Sequence, residues 1–294
     1  MIALKHNQGS GLVEFETDEM KGVLQADGDR HGVRQLLHKP SGVEIVNSDL
    51  MVLNLFRLFA VHLGMGTPRL FKRTWKVDGN AVEISWPRTD EHHADLVARY
   101  EVHEPNLVDL TITVRSQGTY AAYELFLSDY FNTSLRPHLY VKGNPQGPTP
   151  EKPELIAPKG NDVTRSLGLV FPRDFFAAQR TGDGRWERDE MGMPITRLAA
   201  MRYYAYPFAF QGDTERGMAA VLMSRPQDAF AVITGYDTDD PKDAWKGQNP
   251  MYLSLFGDNF LPGDERTVKV RLAVTRLDKA MTQPLKLYES FIAQ

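Results

Sequence analysis

The stretch VDLTITV, from Val108 to Val114, decides the fold class, because its apolar and polar residues alternate strictly. Successive side chains of a β-strand point to opposite faces, so this pattern predicts a strand with one buried face. The two stretches before it alternate in the same way, with the apolar residues Val82, Ile84 and Trp86, and then Leu96, Ala98, Tyr100 and Val102. Turn residues, Asp78-Gly79 and Pro105-Asn106, precede the first strand and separate the second from the third. The pattern predicts an antiparallel meander.

The same alternation returns late in the chain, so strands are predicted in both halves. It occurs in GMAAVLMS from Gly217, AFAVITGY from Ala229 and RTVKVRLAVTRL from Arg266. Helical periodicity is credible in two places: the apolar run Asp49–Met65, which could be a buried helix or two core strands, and the tail PLKLYESFIAQ from Pro284. Neither supports alternating strands and helices, and we therefore predict an all-β fold, a large antiparallel β-sandwich.

A segment rich in proline and glycine, from Lys142 to Gly160, is either a long ordered loop or a connection between domains. Both flanking halves are β-rich without a change in composition, and no repeat of 20 to 50 residues is visible. We therefore expect a loop within one carbohydrate-binding-type domain that spans residues 1–294.

Composition and charge exclude several classes of function. The formal net charge is -4 and the isoelectric point is about 6.1, with Lys and Arg scattered, so nucleic acid is not expected as a partner. The absence of cysteine excludes disulfides, thiolate metal sites and a cysteine nucleophile. The adjacent pair His92-His93 does not have metal-site spacing, since neighbours on an extended chain point opposite ways. We expect neither a metal nor another cofactor.

The amino terminus, MIALKHNQGSG, lacks the apolar core of a signal peptide, which favours a cytoplasmic protein, although a chain trimmed of its leader would look the same. The longest apolar run, Asp49–Met65, is interrupted by Asn54, Arg57 and His62 and is shorter than the roughly 20 residues of a membrane span. No membrane association is expected, and the sequence leaves the oligomeric state open.

Short motifs occur along the chain in a recognisable order. They are W-x-V-x-G (Trp75 to Gly79), the alternating strands to Val114, YFN (Tyr130-Phe131-Asn132), LIAPKG (Leu155 to Gly160) and LPGD (Leu261 to Asp264). In this order the chain resembles the galactose mutarotase-like, or aldose 1-epimerase-like, supersandwich group over about residues 10 to 278. The resemblance implies one domain of stacked antiparallel sheets with a sugar-sized cleft.

Both catalytic signatures of that group are altered here. The resemblance implies a general-acid histidine three positions before the phenylalanine of YFN, where this chain has Ser128. It also implies a base glutamate on the strand before the late turn, where this chain offers only aspartates: Asp237, Asp239, Asp240 and Asp258. The resemblance therefore supports the fold and a sugar site more than it supports mutarotase chemistry.

Opening a sugar ring requires one group to accept the anomeric hydroxyl proton and another to protonate the ring oxygen. Asp129 lies at the resembled position in the stretch SDYFN, and His138 follows nine residues later. We take Asp129 as a candidate base or anchor, His138 as a candidate acid, and Asp237 as a candidate replacement from the later stretch. The alternative is that Asp129 caps a turn and His138 lies in a solvated loop.

Donor-rich and aromatic segments supply the substrate-binding candidates. The segment GDRHGVRQLLHKPSG, from Gly28, could grip hydroxyls or a carboxylate, or it could be a polar edge strand. The segment MRYYAYPFAF, from Met201, could offer a cation and aromatic faces to a pyranose, or it could be a core strand. The candidates are Arg30, His31, Arg34, His93, Tyr130, Asn132, Arg202 and Tyr204.

The leading hypothesis is a carbohydrate-active protein that acts on or holds a monosaccharide or an oligosaccharide end, and the activity considered for it is that of a sugar 1-epimerase with altered acid and base residues. One alternative is a non-catalytic carbohydrate-binding protein, favoured by the missing histidine and glutamate. Another is a polysaccharide lyase or glycoside hydrolase. The expected partner in every case is a small-molecule or oligosaccharide ligand.

Overall fold

The structure is a computed structural model that describes residues 2–6, 9–61, 63–143, 152–159, 168–173, 196–198, 204–237 and 247–294. The strands in these ranges are β1 (Lys5–His6), β2 (Leu12–Glu16), β3 (Met20–Gln25), β4 (Gly32–His38), β5 (Val43–Glu44), β6 (Asn54–Ala60), β7 (Leu63–Gly64), β8 (Thr74–Asp78), β9 (Ala81–Trp86), β10 (Ala94–His103), β11 (Leu107–Ser116), β12 (Tyr120–Tyr130), β13 (Arg136–Lys142), β14 (Pro153–Ile156), β15 (Gly168–Pro172), β16 (Thr196–Leu198), β17 (Tyr204–Asp213), β18 (Met218–Ser224), β19 (Ala229–Thr234), β20 (Pro250–Phe260) and β21 (Glu265–Arg276). A 3-10 turn spans Pro68–Leu70, and the helix α1 spans Gln283–Ile292.

The strands form three sheets, which confirms the predicted all-β antiparallel sandwich. A five-stranded sheet has the order β1-β2-β3-β4-β5, a nine-stranded sheet the order β14-β13-β17-β18-β21-β11-β10-β9-β8, and a seven-stranded sheet the order β16-β15-β19-β20-β12-β6-β7. The named strand pairs are antiparallel, except for β15 and β16, which run parallel. A single apolar core contains side chains from all three sheets.

The meander predicted from alternation is confirmed as β9, β10 and β11. Leu96 lies opposite Trp86, and Leu110 lies opposite Tyr100, so the apolar side chains of neighbouring strands form cross-strand pairs. The hairpin before it turns at Gly79, whose φ of +62° is a left-handed conformation that glycine adopts easily.

The ambiguous apolar run Asp49–Met65 forms two strands, β6 and the short β7, instead of a helix. Leu55 and Leu58 of β6 enter the core, while the backbone of the strand pairs with β12. Cross-strand pairing therefore decides between the two structures that the apolar run allowed.

The helix predicted in the tail is confirmed as α1, which packs on the side of the nine-stranded sheet away from the main core. Its buried residues are Tyr288 and Phe291, and the Tyr288 ring stacks on Phe208 with centroids 4.7 Å apart. Helical spacing in the tail predicts one apolar face of Leu285, Tyr288 and Ile292, but Ile292 is 44% exposed. The buried stripe is therefore rotated by about one residue from the expected one.

The alternation of β12 sets which side chains face the core. Leu125, Leu127 and Asp129 point inward from the seven-stranded sheet, whereas Phe126, Ser128 and Tyr130 point to its other side. We call the latter side, with Tyr252 and Ser254 of β20, the outer sheet face. Within the described part of the chain, no helix has the length and apolarity needed to cross a membrane.

Candidate functional site

A groove that we call the polar groove is built on the loop from Asn47 to Met51. Two backbone hydrogen bonds of 3.0 Å, from Asn47 N–H to the Tyr130 carbonyl and from Tyr130 N–H to the Met51 carbonyl, fix this loop beside the end of β12. The groove consists of two adjoining cavities of about 820 and 560 Å³, and both are lined by Arg34, Ser48 and Asp49.

Three arginines line the larger cavity: Arg30 from the loop before β4, Arg34 from β4, and Arg69 from the 3-10 turn. The Arg34 guanidinium donates to the Gln25 side-chain oxygen at 2.8 Å, and Arg30 donates to the backbone carbonyl of Asp49. The Nε atom of Arg69 is buried and has no hydrogen-bond partner in the described ranges. These side chains therefore keep donor capacity for a ligand.

Arg73 lies beside them but serves the framework instead. Its guanidinium donates to the carbonyls of Ala26 and Arg69, each at 3.0 Å, and to that of Gly28, and it approaches the Asp27 carboxylate at 3.5 Å. These contacts consume its donors and anchor the loop after β3 to the 3-10 turn.

The smaller cavity is lined by amide and hydroxyl groups, including those of Asn47, Asn132 and Thr133. Asn132 ends the YFN motif, and its side-chain oxygen accepts the Ser134 N–H at 2.9 Å, which closes a turn after β12. Phe131 between Tyr130 and Asn132 is fully buried in the core. The motif thus combines a core anchor with two polar residues beside the groove.

Tyr130 joins the groove to the outer sheet face. Its hydroxyl accepts a hydrogen bond of 2.9 Å from the Tyr252 hydroxyl, and the two rings meet edge to face at 5.8 Å. Burial raises the pKa of Tyr130, and the hydrogen bond from Tyr252 together with the positive charges of Arg30 and Arg69 works against that rise. The tyrosine is therefore close to the arginines of the larger cavity.

The outer sheet face carries further polar groups that the sequence did not single out. The Asn54 amide donates to the Ser128 hydroxyl at 2.9 Å, so the position implied to hold a histidine holds instead a hydrogen-bonded serine. Four residues earlier on β12, the fully buried carboxylate of Glu124 accepts a hydrogen bond of 2.6 Å from Ser254. Phe126 and Tyr252 pack between these pairs, with ring centroids 5.5 Å apart.

Asp129 points into the core and is fully buried. One side-chain oxygen accepts the Leu53 N–H at 2.6 Å, and the other has no partner among the described residues. Burial raises the pKa of this carboxyl to about 8, although the Leu53 hydrogen bond lowers it. The group is therefore mostly protonated at neutral pH.

His31 is also fully buried, and its Nε2 accepts the Leu55 N–H at 3.1 Å. Because Nε2 accepts, Nδ1 carries the proton, and it lacks a partner in the described ranges. Burial, helped by the charge of Arg73, lowers the pKa of His31 to about 3, so the ring is neutral. Since the amides of Leu53 and Leu55 are two residues apart, Asp129 and His31 lie within about 13 Å of each other.

The structure brings His138 and Asp237 together at another place. His138 stacks on Phe210 with centroids 4.9 Å apart, and its Nδ1–H donates to the Arg136 carbonyl at 2.9 Å. Burial lowers the pKa of His138, whereas the Arg136 hydrogen bond and the nearby charge of Asp237 raise it. Asp237 forms ion pairs with Arg136 at 3.1 Å and Lys159 at 2.8 Å, which hold its carboxylate in place.

The other predicted residues lie apart from the groove or outside the described ranges. His93 is an exposed loop residue whose ring nitrogen contacts the Asp90 carbonyl at 2.9 Å, while the neighbouring His92 is buried against Tyr123. Tyr204 begins β17 and packs against the main core. Arg202 falls outside the described residues. No cluster of three potential metal ligands occurs among the residues that are described.

Of the predicted site residues, Arg30, Arg34 and Asn132 thus line one groove, with Tyr130 next to it. Sequence analysis missed Arg69, Ser48 and Asp49 there, and Glu124 and Tyr252 on the outer sheet face. The alternation of β20 could have paired Tyr252 with Ser128, which lies directly opposite. No local sequence pattern marks Arg69, because its 3-10 turn reaches the groove only through the tertiary fold.

The comparisons with known proteins reveal distant structural similarity. No protein-family model and no curated protein matches the chain. Among solved structures, it is similar to the galactosidase domain of an alpha-galactosidase-sucrose kinase (TM-score 0.49, 11% identity), covering 93% of this chain but only 42% of that one. It is similar to a GalM/aldose epimerase homologue from C. elegans (TM-score 0.48, 10% identity), covering 95% of this chain and 99% of that one. It is also similar to a putative aldose 1-epimerase from Escherichia coli K12 (TM-score 0.44, 11% identity), covering 94% and 99%. Aldose 1-epimerase homologues are thus among its structural neighbours, at TM-scores that support no conclusion about activity.

Proposed function

We propose that the protein is carbohydrate-active and that it holds a monosaccharide or an oligosaccharide end in the polar groove. The observation that carries this proposal is the groove's lining. Small-molecule pockets of about 300 to 1,000 Å³ are usually lined by apolar side chains with a few polar groups. This groove, with cavities of about 820 and 560 Å³, is lined mainly by charged, amide and hydroxyl side chains.

A lining of that kind suits a ligand that offers many hydroxyl groups. Arginines, carboxylates and amides provide both donors and acceptors, and a sugar hydroxyl is both a donor and an acceptor. Leu50, Met51 and Leu70 add an apolar part to the larger cavity, which suits the C–H face of a sugar ring. The two cavities together offer room for more than one sugar unit.

Within this proposal, binding without catalysis is favoured over anomer interconversion. An acid and a base must both reach the ring from opposite sides. Asp129 and His31 are fully buried, so neither is exposed in the groove, and Asp237 is engaged by two cations beside His138. A sugar 1-epimerase with altered acid and base residues is the second candidate, and the one observation in its favour is the Tyr130 hydroxyl beside the groove, although burial raises its pKa.

Titration calorimetry and NMR with a panel of neutral and acidic sugars test the proposal. Ser48 is exposed and lines both cavities, so Ser48→Trp should fill their junction and weaken sugar binding at least tenfold. Ser290→Trp, at an exposed position of α1, is the matched control and should leave binding unchanged. Failure of every sugar to bind, or equal binding by Ser48→Trp, would defeat the proposal.

The same NMR samples decide between binding and epimerisation. A pure sugar anomer is added, and the approach to anomeric equilibrium is followed with and without protein. We expect an unchanged rate. An accelerated rate that Tyr130→Phe abolishes would establish the epimerase instead.

A further inference from the structure

The polar groove is electrically asymmetric along its length. The larger cavity is lined by three arginines, Arg30, Arg34 and Arg69, against two carboxylates, Asp29 and Asp49. The smaller cavity is lined by Arg34 alone against the carboxylates of Glu44 and Asp49. The charge of the lining is therefore positive at the Arg69 end and negative at the Asn132 end, in a protein whose formal net charge is -4.

None of the three arginines forms an ion pair within the described part of the chain. Arginines elsewhere in the described ranges do: Arg99 pairs with Asp78, Arg115 with Glu265 and Arg271 with Asp109. Guanidinium groups that share one cavity repel each other, and the two carboxylates of the same cavity, Asp29 and Asp49, offset only part of the charge of three arginines. An anion bound between the arginines would remove this repulsion.

The hydrogen bonds around the arginines position them without neutralising them. Gln25 is held by donating to the carbonyls of Asp27 at 2.8 Å and Arg30 at 3.1 Å, and its oxygen orients Arg34. The backbone carbonyl of Asp49 orients Arg30. At Arg69 a buried Nε–H is left without an acceptor in the described ranges, so the hydrogen bonds found there do not satisfy this guanidinium.

We propose that the Arg69 end of the polar groove binds the anionic group of an acidic sugar, with the neutral hydroxyls of the ligand lying toward Asn132. The proposal rests on the proposed function and names its substrate class: a sugar or oligosaccharide end that carries a carboxylate, sulfate or phosphate. Arginine suits these groups, because its planar fork of donors matches carboxylate and phosphate oxygens in pairs. The amides and hydroxyls of the smaller cavity suit an uncharged ring.

The position of Tyr130 supports the same orientation of the ligand. Its hydroxyl lies close enough to Arg30 and Arg69 for their charges to counteract the rise in its pKa that burial causes. A ligand whose anionic group sits between the arginines would place its adjoining ring beside Tyr130.

Calorimetry with matched pairs of ligands tests the inference. The pairs are galactose with galacturonate, glucose with glucuronate and glucose with glucose 6-phosphate, and inorganic phosphate is titrated alone. At low salt we expect at least one acidic member to bind at least tenfold more tightly than its neutral partner. The advantage should shrink as salt is added, because the arginines lie in an open groove and are screened.

Two variants locate the anion site. Arg69→Gln and Arg34→Gln should each remove most of the tenfold advantage of the acidic member over its neutral partner, and Arg34→Lys should restore part of what Arg34→Gln removes. Arg34 is exposed, so its replacement does not disturb the core. Arg115→Gln removes an exposed arginine of the nine-stranded sheet and should change nothing.

The outcomes separate the two proposals. Equal binding of neutral and acidic sugars, or an acidic advantage that survives in both Arg69→Gln and Arg34→Gln, would overturn the inference while the sugar-binding function stands. Absence of binding for every sugar would defeat the proposed function and the inference with it. Inorganic phosphate that binds as tightly as any acidic sugar, with no binding of neutral sugars, would show an anion site without sugar recognition, and would defeat both.

Discussion

Replacing Asp129 by asparagine should make the protein more stable at neutral and alkaline pH. Asn has the same shape as a protonated aspartic acid, and its side-chain oxygen can keep the hydrogen bond of 2.6 Å from the Leu53 N–H. The unpartnered oxygen of Asp129 becomes an amide nitrogen in the same buried place. Below about pH 4, where both the folded protein and the unfolded chain hold Asp129 protonated, we therefore expect a small difference in the free energy of unfolding between the variant and the wild type.

The magnitude at higher pH follows from the pKa. Burial raises it from 3.8 to about 8 in the folded protein. Between these values the folded protein keeps a proton that the unfolded chain loses, so the stabilising contribution is complete below about pH 4 and is lost as pH rises through about 8. One pH unit corresponds to about 1.4 kcal/mol, and the total loss approaches about 6 kcal/mol.

Urea unfolding of the wild type and Asp129→Asn at pH 5 and pH 7.5 measures this effect. Other titrating groups are common to both proteins and cancel in the difference. The free energy of unfolding of the variant relative to wild type should rise by about 3 kcal/mol over this range. Asp18→Asn, at an exposed position, controls for the loss of a carboxylate. A difference that does not change with pH would refute the burial argument, and loss of sugar binding in Asp129→Asn would show that this carboxyl also serves the ligand.

Two further predictions concern stability. Gly32→Ala should lower the free energy of unfolding by more than about 2 kcal/mol in thermal melts, because Gly32 has a φ of +123° and an added Cβ would lie 2.5 Å from the Val52 carbonyl oxygen. Gly79→Ala, at a φ of +62° with open space around it, should lower it by only about 1 kcal/mol. Equal losses of stability in the two variants would contradict the steric explanation. Asp109→Asn should cost about 3 to 5 kcal/mol at neutral pH, because it breaks the paired contacts of 2.6 and 2.9 Å from Arg271. Burial raises the pKa of Asp109, but the hydrogen bonds from Arg271 and Lys269 hold this pKa below its ordinary value. The loss of stability in Asp109→Asn should therefore shrink when urea unfolding is measured below about pH 4. A loss that does not change with pH would contradict this prediction.

The sequence predicted the fold well where one face of a strand is buried and the other is not. Strands such as β10 alternate between buried and half-buried residues along their whole length, so two-residue periodicity identified them. The apolar run that forms β6 gave no such signal, because it has buried residues on both sides of the strand. Only its pairing with β12 decides its structure, and pairing between residues 70 positions apart is not visible locally.

The same reason explains the placement of the candidate site residues. In β12, nearly every residue from Ala122 to Tyr130 is buried, so the sequence did not show that Ser128 and Asp129 point to different sides of the sheet. Arg30, Arg34 and Asn132 could be selected from donor-rich segments and the YFN motif. Their meeting in one groove with Arg69 depends on the loop from Asn47 to Met51, which is held to Tyr130 by backbone hydrogen bonds.

Two kinds of unpaired polar group occur in this protein, and they differ in what they can do. One oxygen of Asp129 and the Nδ1–H of His31 have no partner in the described part of the chain and are buried in the core, so they alter pKa values and stability but lie out of reach of a ligand that stays in the groove. The arginines at the Arg69 end of the polar groove lack ion-pair partners among the described residues, and they line a cavity of about 820 Å³ that is open to solvent. A ligand can therefore pair with the arginines of the groove without opening the core around Asp129 and His31. The binding chemistry should therefore depend on the groove, and the pH dependence of folding on the core.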